Sequence, residues 1–289
     1  MGKFTVEAVF PSLPSTPPPV FSLVTPEVSE SSLRAFARDF GLRSQEVEGA
    51  VRSHSTAILY TEGSVQVQLF KGSGGVRRRD FGSWMRSEQD SSFEITDGAA
   101  IEAARDAVRG FPFLNEAAAG GAVVKRLNEA SSQRGGESFS QRVTHAAVCF
   151  HRSVSGVPVD GPGGKMTVFL SPERKLTGVD YLWRRISGVY RETKRLRTAE
   201  EAVRQVTDLW EKRGVASGVV NQVRFGYLEL GWSDAQVLMQ PAYIVFGVLG
   251  GPDGGARSGA VEVVHASADP VGDLVPPPPK TPKQTARSA

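Results

Sequence analysis

Runs of β-branched and aromatic residues, bounded by Gly, Pro or Ser, dominate the pattern of this chain. They fall at residues 64–70 (SVQVQLF), 165–170 (KMTVFL), 222–230 (QVRFGYLEL) and 237–249 (VLMQPAYIVFGVL), and each predicts a strand. Over residues 143–152, strand alternation sets His145, Cys149 and His151 on one face and Ala146, Val148 and Phe150 on the other, as in a central strand covered on both sides. Helical spacing is rarer but well capped. Thr198 and Glu201 form a capping box, and Ala202, Val203, Val206, Leu209 and Trp210 follow at helical intervals until Gly214. Thr96 and Asp97 open a second helix, with Ile101, Ala104 and Val108 on one face. A third starts near residues 29–32 and turns Leu33, Phe36, Ala37 and Phe40 inward.

The two halves of the chain align in order. SVQVQLFKGSGGVRRRDFGSWMRS followed by TDGAAIEAARDAV matches KMTVFLSPERKLTGVDYLWRRIS followed by TAEEAVRQVTDLW, with Trp84 opposite Trp183 and Thr96 opposite Thr198. A hairpin alone buries too little apolar surface to be stable, so each helix is expected to cross its own sheet. The predicted fold is α+β: two tandem related units, each an antiparallel sheet with a helix packed on one face. Residues 1–20 read as an extended Pro-rich lead-in, 21–138 as the first unit, 139–265 as the second, and 266–289 as a disordered Pro-rich tail.

Composition narrows the function classes. A formal charge of +3 over 289 residues is too small an excess for a dedicated nucleic-acid binder. The dense basic patches, Arg77 to Arg79 and residues 184–197, read as solvated faces. The single cysteine, Cys149, excludes an intramolecular disulfide or a thiolate metal cluster and reads as a small core residue; no metal or cofactor is expected. No apolar run approaches the length of a membrane span. A soluble chain is therefore expected, cytoplasmic as it stands, or extracellular if an export signal or anchor has been removed.

Ser155-Gly156-Val157-Pro158-Val159, the helix start from Thr198 to Ala202, Gly226-Tyr227 and Gln240-Pro241-Ala242-Tyr243 occur in an order that resembles PepSY-like domains. The chain looks most like the two-domain YycH/YycI-type regulatory proteins of bacteria. The likeness runs roughly over residues 21–249. It implies a non-enzymatic role in which a partner protein is bound and regulated, and it carries over no catalytic residue.

No metalloprotease, nucleophile-elbow or P-loop signature is present. The glycines at 72–75 and 161–164 read as hairpin turns. Glu229 shares parity with Val223, Phe225 and Tyr227, which makes it the odd member of an apolar row: either a sheet-edge carboxylate or an acid–base group with a raised pKa. Should the sheet close over a cavity, Glu229, His145 and Tyr243 are the catalytic candidates, and Tyr227, Trp183, His151 and Gln240 line the pocket.

Two functions follow. The first is a non-enzymatic binding or regulatory module that engages a protein or peptide through its sheet surface or a cleft between units. The second is a cofactor-independent isomerase or cyclase acting on a hydrophobic small molecule in an apolar pocket.

Overall fold

The computed structural model describes residues 3–42, 51–84, 94–132, 139–250 and 257–275. In chain order the elements are β1 (Lys3–Val6), β2 (Val20–Leu23), α1 (Glu30–Asp39), β3 (Val51–Ser53), β4 (Ala57–Glu62), β5 (Val65–Phe70), β6 (Val76–Asp80), α2 (Phe81–Trp84), α3 (Asp97–Val108), α4 (Pro112–Ala118), β7 (Gly121–Ser132), β8 (Phe139–His151), β9 (Ser153–Val154), β10 (Val157–Asp160), β11 (Lys165–Leu170), β12 (Leu176–Leu182), β13 (Ile186–Arg191), α5 (Ala199–Lys212), β14 (Ser217–Leu228), β15 (Leu238–Met239), β16 (Pro241–Gly250) and β17 (Ser258–His265). The class is α+β, rich in strands. The three helix starts agree with the sequence signals: Ser29, Thr96 and Thr198 each accept a backbone N–H from the first turn, and Thr198 and Glu201 complete the capping box.

The chain divides into two compact units that are discontinuous in sequence. One comprises Met1–Pro18, Glu192–Phe225 and Gln240–Ala289; the other comprises Pro19–Arg191 and Gly226–Met239. No division falls between residues 138 and 139, because the strands on either side, β7 and β8, pair with each other along their length.

In the larger unit, SVQVQLF and KMTVFL belong to one eight-stranded sheet of order β3-β4-β5-β6-β12-β11-β8-β7, with β6 and β12 antiparallel. The two sheets expected from the sequence are thus merged. Helices α1, α3 and α4 cover one face, where Leu33, Ala37, Ala100, Ala104 and Leu114 bury against Tyr60, Val67, Leu69, Val148, Met166 and Val179. Alternation in β5 explains the sidedness: Val67 and Leu69 are buried in this core, whereas Gln66 and Gln68 have the opposite parity. A second sheet of this unit has the order β13-β2-β15.

The smaller unit carries α5 on β16 and β17. Trp210 is fully buried there, and a Cβ on Gly247 would stand 2.6 Å from its ring, so only glycine fits at that position. The lead-in contributes a strand, β1, which pairs in parallel with residues 217–220 of β14. The start of the expected tail is also tied down: Gln240 Nε2 donates to Val271 O at 2.8 Å, and the Val271 amide returns a bond to Gln240 Oε1 at 3.2 Å. Residues 276–289 lie outside the described residues.

The two glycine turns differ. Residues 72–75 join paired strands, β5 and β6. Residues 161–164 do not close a hairpin: β10 pairs with β9 and β14, whereas β11 pairs with β8 and β12. Gly161 and Gly164 hold positive φ angles of 104° and 66°, and a Cβ on Gly163 would lie 2.7 Å from Glu229 Cγ. Positive φ at 161 and 164, and close approach to Leu230 O and the Glu229 side chain at 163, are the reasons for the glycines.

Thr198→Ala removes the acceptor for the Glu201 amide and should lower unfolding free energy by about 1 kcal/mol in a denaturant titration. No measurable change would show that the cap contributes nothing here.

Candidate functional site

The face of the eight-stranded sheet opposite the helices gathers charged, amide and aromatic side chains. In register, Gln66 stands beside Arg79, Gln68 beside Arg77, and Arg77 beside Asp180. Arg77 Nε lies 2.9 Å from the Asp180 carboxylate and Arg79 Nη2 lies 2.8 Å from it, so two guanidiniums share one acid. Each guanidinium also packs on rings. Arg77 lies 4.9 Å from the Trp232 centroid and 5.4 Å from that of Phe70, while Arg79 lies 4.4 Å from Phe169 and 5.7 Å from Trp84. Gln66, Gln68, Arg77, Arg79, Phe81 and Trp84 line a pocket of about 240 Å³.

Asp80, next to Phe81 of that pocket, caps the start of α2. Its carboxylate accepts from the hydroxyls of Ser64 and Ser83, each at 2.8 Å, and from the Gly82 amide at 3.1 Å. Burial pushes the Asp80 pKa up, but these bonds and Arg78 outweigh it and hold the acid below its usual range. The turn delivers Trp84 onto His145, stacked at 4.7 Å with an interplanar angle of 24°. His145 is 4% exposed. Trp84 Nε1 and His145 Nε2 are both buried, and neither makes a hydrogen bond to a described residue. Burial pulls the His145 pKa down, with Glu173 opposing, so the ring is neutral near pH 7.

Glu229 sits elsewhere in the same unit, wholly buried among cations. Oε2 is 3.3 Å from Arg152 Nη1, and Oε1 is 3.6 Å from Arg184 Nη1 and accepts the Arg184 amide at 2.8 Å. Burial pushes its pKa up, against the Arg184 amide, both guanidiniums and the Gly164 amide. Arg184, expected on a solvated face, is 3% exposed and donates to the carbonyls of Leu230, Gly231 and Asp234 at 2.8, 2.8 and 2.6 Å. Both carboxylate oxygens are therefore engaged by the chain's own groups.

The other expected site residues are dispersed. Trp183 joins the Glu229 cluster, its ring 5.0 Å from the Arg152 guanidinium. Tyr227 donates to Pro19 O at 2.9 Å and packs on Phe21. His151 shares the parity of His145 and Cys149 but is exposed at the end of β8. Tyr243 and Gln240 belong to the smaller unit, where Tyr243 Oη donates to Arg197 O at 2.8 Å and burial raises its pKa to about 12. The residues that do converge are Gln66, Gln68 and Phe81, which sequence reasoning passed over, and Arg77 and Arg79, expected on a solvated face. The available signal was the polar alternation of Gln66 and Gln68 in β5 opposite the arginines of β6.

The fold and these sites define an α+β protein with one polar, aromatic sheet face. No family model and no curated protein matches the chain. A solved structure of an uncharacterized protein from Eubacterium rectale ATCC 33656 is similar in fold, with a TM-score of 0.51 and 10% identity over 92% of this chain and 89% of that one. At that identity the likeness concerns the fold alone.

Glu229→Ala strands two buried guanidiniums and should cost about 3–5 kcal/mol of unfolding free energy, read by chemical denaturation. A loss below about 1 kcal/mol would contradict the buried cluster. His145 contributes a pH dependence of its own. Because the folded state resists protonating it, stability falls as pH drops below about 6.5, where the unfolded chain takes up the proton. His145→Gln should flatten that part of the pH–stability curve, and an unchanged slope would rule the assignment out.

Proposed function

We propose that the protein is a non-enzymatic binding module that engages a protein or peptide through the polar face of its eight-stranded sheet. The observation that carries this reading is the pocket lined by two arginines, two glutamines, Phe81 and Trp84. Arginine and tryptophan on a partly exposed surface supply the oriented donors and rigid apolar area that dominate recognition energetics. Phe81 is 47% exposed at this pocket, an apolar group available to a partner. The resemblance of the element order to PepSY-like regulatory proteins implies the same class of role. Of the three acid–base candidates of the enzymatic alternative, Glu229, His145 and Tyr243, Glu229 and Tyr243 have their polar atoms spent on the chain's own backbone and arginines and His145 is 4% exposed, which favours binding over catalysis.

Panning a random peptide library against the full chain tests the module. Enriched peptides should bind the wild type, and Phe81→Ala or Gln68→Ala should weaken them at least about fivefold. Failure to enrich any sequence, or binding indifferent to both substitutions, would overturn the proposal.

A further inference from the structure

Resting on that binding reading, we infer that the pocket recognises an acidic side chain of a peptide, its carboxylate forked by Arg77 and its neighbouring apolar residue laid on Phe81. Three independent features converge here. The first is charge: Arg77 and Arg79 share the single carboxylate of Asp180, which leaves one positive charge uncompensated within the cluster. A monoanion balances that excess, whereas a phosphate dianion overshoots it.

The second is geometry. Arg77 meets Asp180 through Nε, the edge of its guanidinium, and among the described residues no hydrogen bond is made by its two terminal nitrogens. That pair is the fork that grips a carboxylate with two parallel bonds. Packing on Phe70 and Trp232 fixes the plane of the guanidinium, so little rotamer freedom is lost on binding. Gln68 stands beside Arg77 in register and contributes its amide to the wall.

The third is an unsatisfied donor at the pocket. Trp84 lines it, and its buried indole N–H has no partner among the described residues. A buried donor without an acceptor is destabilising, so an acceptor arriving with the ligand recovers that loss. His145, the ring on which Trp84 is stacked, is 4% exposed and also carries an unpartnered nitrogen. The volume of about 240 Å³ suits one side chain and not a folded domain.

The test is an NMR titration of the full chain, reading the Trp84 indole and Arg77 guanidinium signals, with N-acetyl-Phe-Glu-Phe-amide, its glutamine counterpart and inorganic phosphate. The glutamate peptide should shift both signals and bind about tenfold tighter than the glutamine peptide, with the gap closing at high salt. Arg77→Gln should abolish the preference; if that variant does not fold, Arg77→Lys should reduce it. Equal affinity for the two peptides, no binding of either at millimolar concentration, or displacement of the peptide by phosphate at lower concentration would overturn the carboxylate assignment. The library selection keeps the two claims apart: peptides that depend on Phe81 but lack acidic residues would sink this inference and leave the module standing.

Discussion

The buried carboxylate of Glu229 is the constraint from which the geometry of the larger unit follows. A charge with no exposure survives folding only when partners replace its water, and here two guanidiniums and two backbone amides do so. The cost is geometric as well as energetic. Glycine at 163 leaves room for the Glu229 side chain, and positive φ at 161 and 164 turns the chain beside it, which is why a crossing between sheets carries a sequence that reads as a hairpin turn.

That cluster reaches the candidate site through Arg184. Glu229 orients Arg184, whose guanidinium then collects the carbonyls of Leu230, Gly231 and Asp234. Between those carbonyls lies Trp232, which packs on Phe70 at 4.6 Å and on the Arg77 guanidinium at 4.9 Å. A structural ion pair in the interior thereby sets the plane of an arginine on the surface. The Glu229 ion pair thus supports the packing of Trp232 and Arg77.

Much of this was legible in the chain. The capped helices and strands β5, β8 and β11 follow from local pattern, because capping and alternation are decided within a few residues. The anomaly at Glu229 was visible too, as an acid in an apolar row. Its meaning was not, because Arg152 and Arg184 reach it from distant positions in sequence, and Arg184 lies in a run of basic residues that looks solvated. The merging of two expected sheets into one was hidden for the same reason: pairing of β6 with β12 joins strands about a hundred residues apart, and no local signal encodes it. The open face was overlooked because its glutamines and arginines look like ordinary surface until the register of β5 and β6 places them side by side.

The proposed recognition surface is this sheet face. Hydrogen–deuterium exchange of the full chain, with and without a peptide selected for binding, measures that surface directly. Slower exchange concentrated in β5, β6 and α2, with the two edge strands of the sheet unaffected, is the expected result. Protection confined to the helical side of the sheet or to the smaller unit would contradict it.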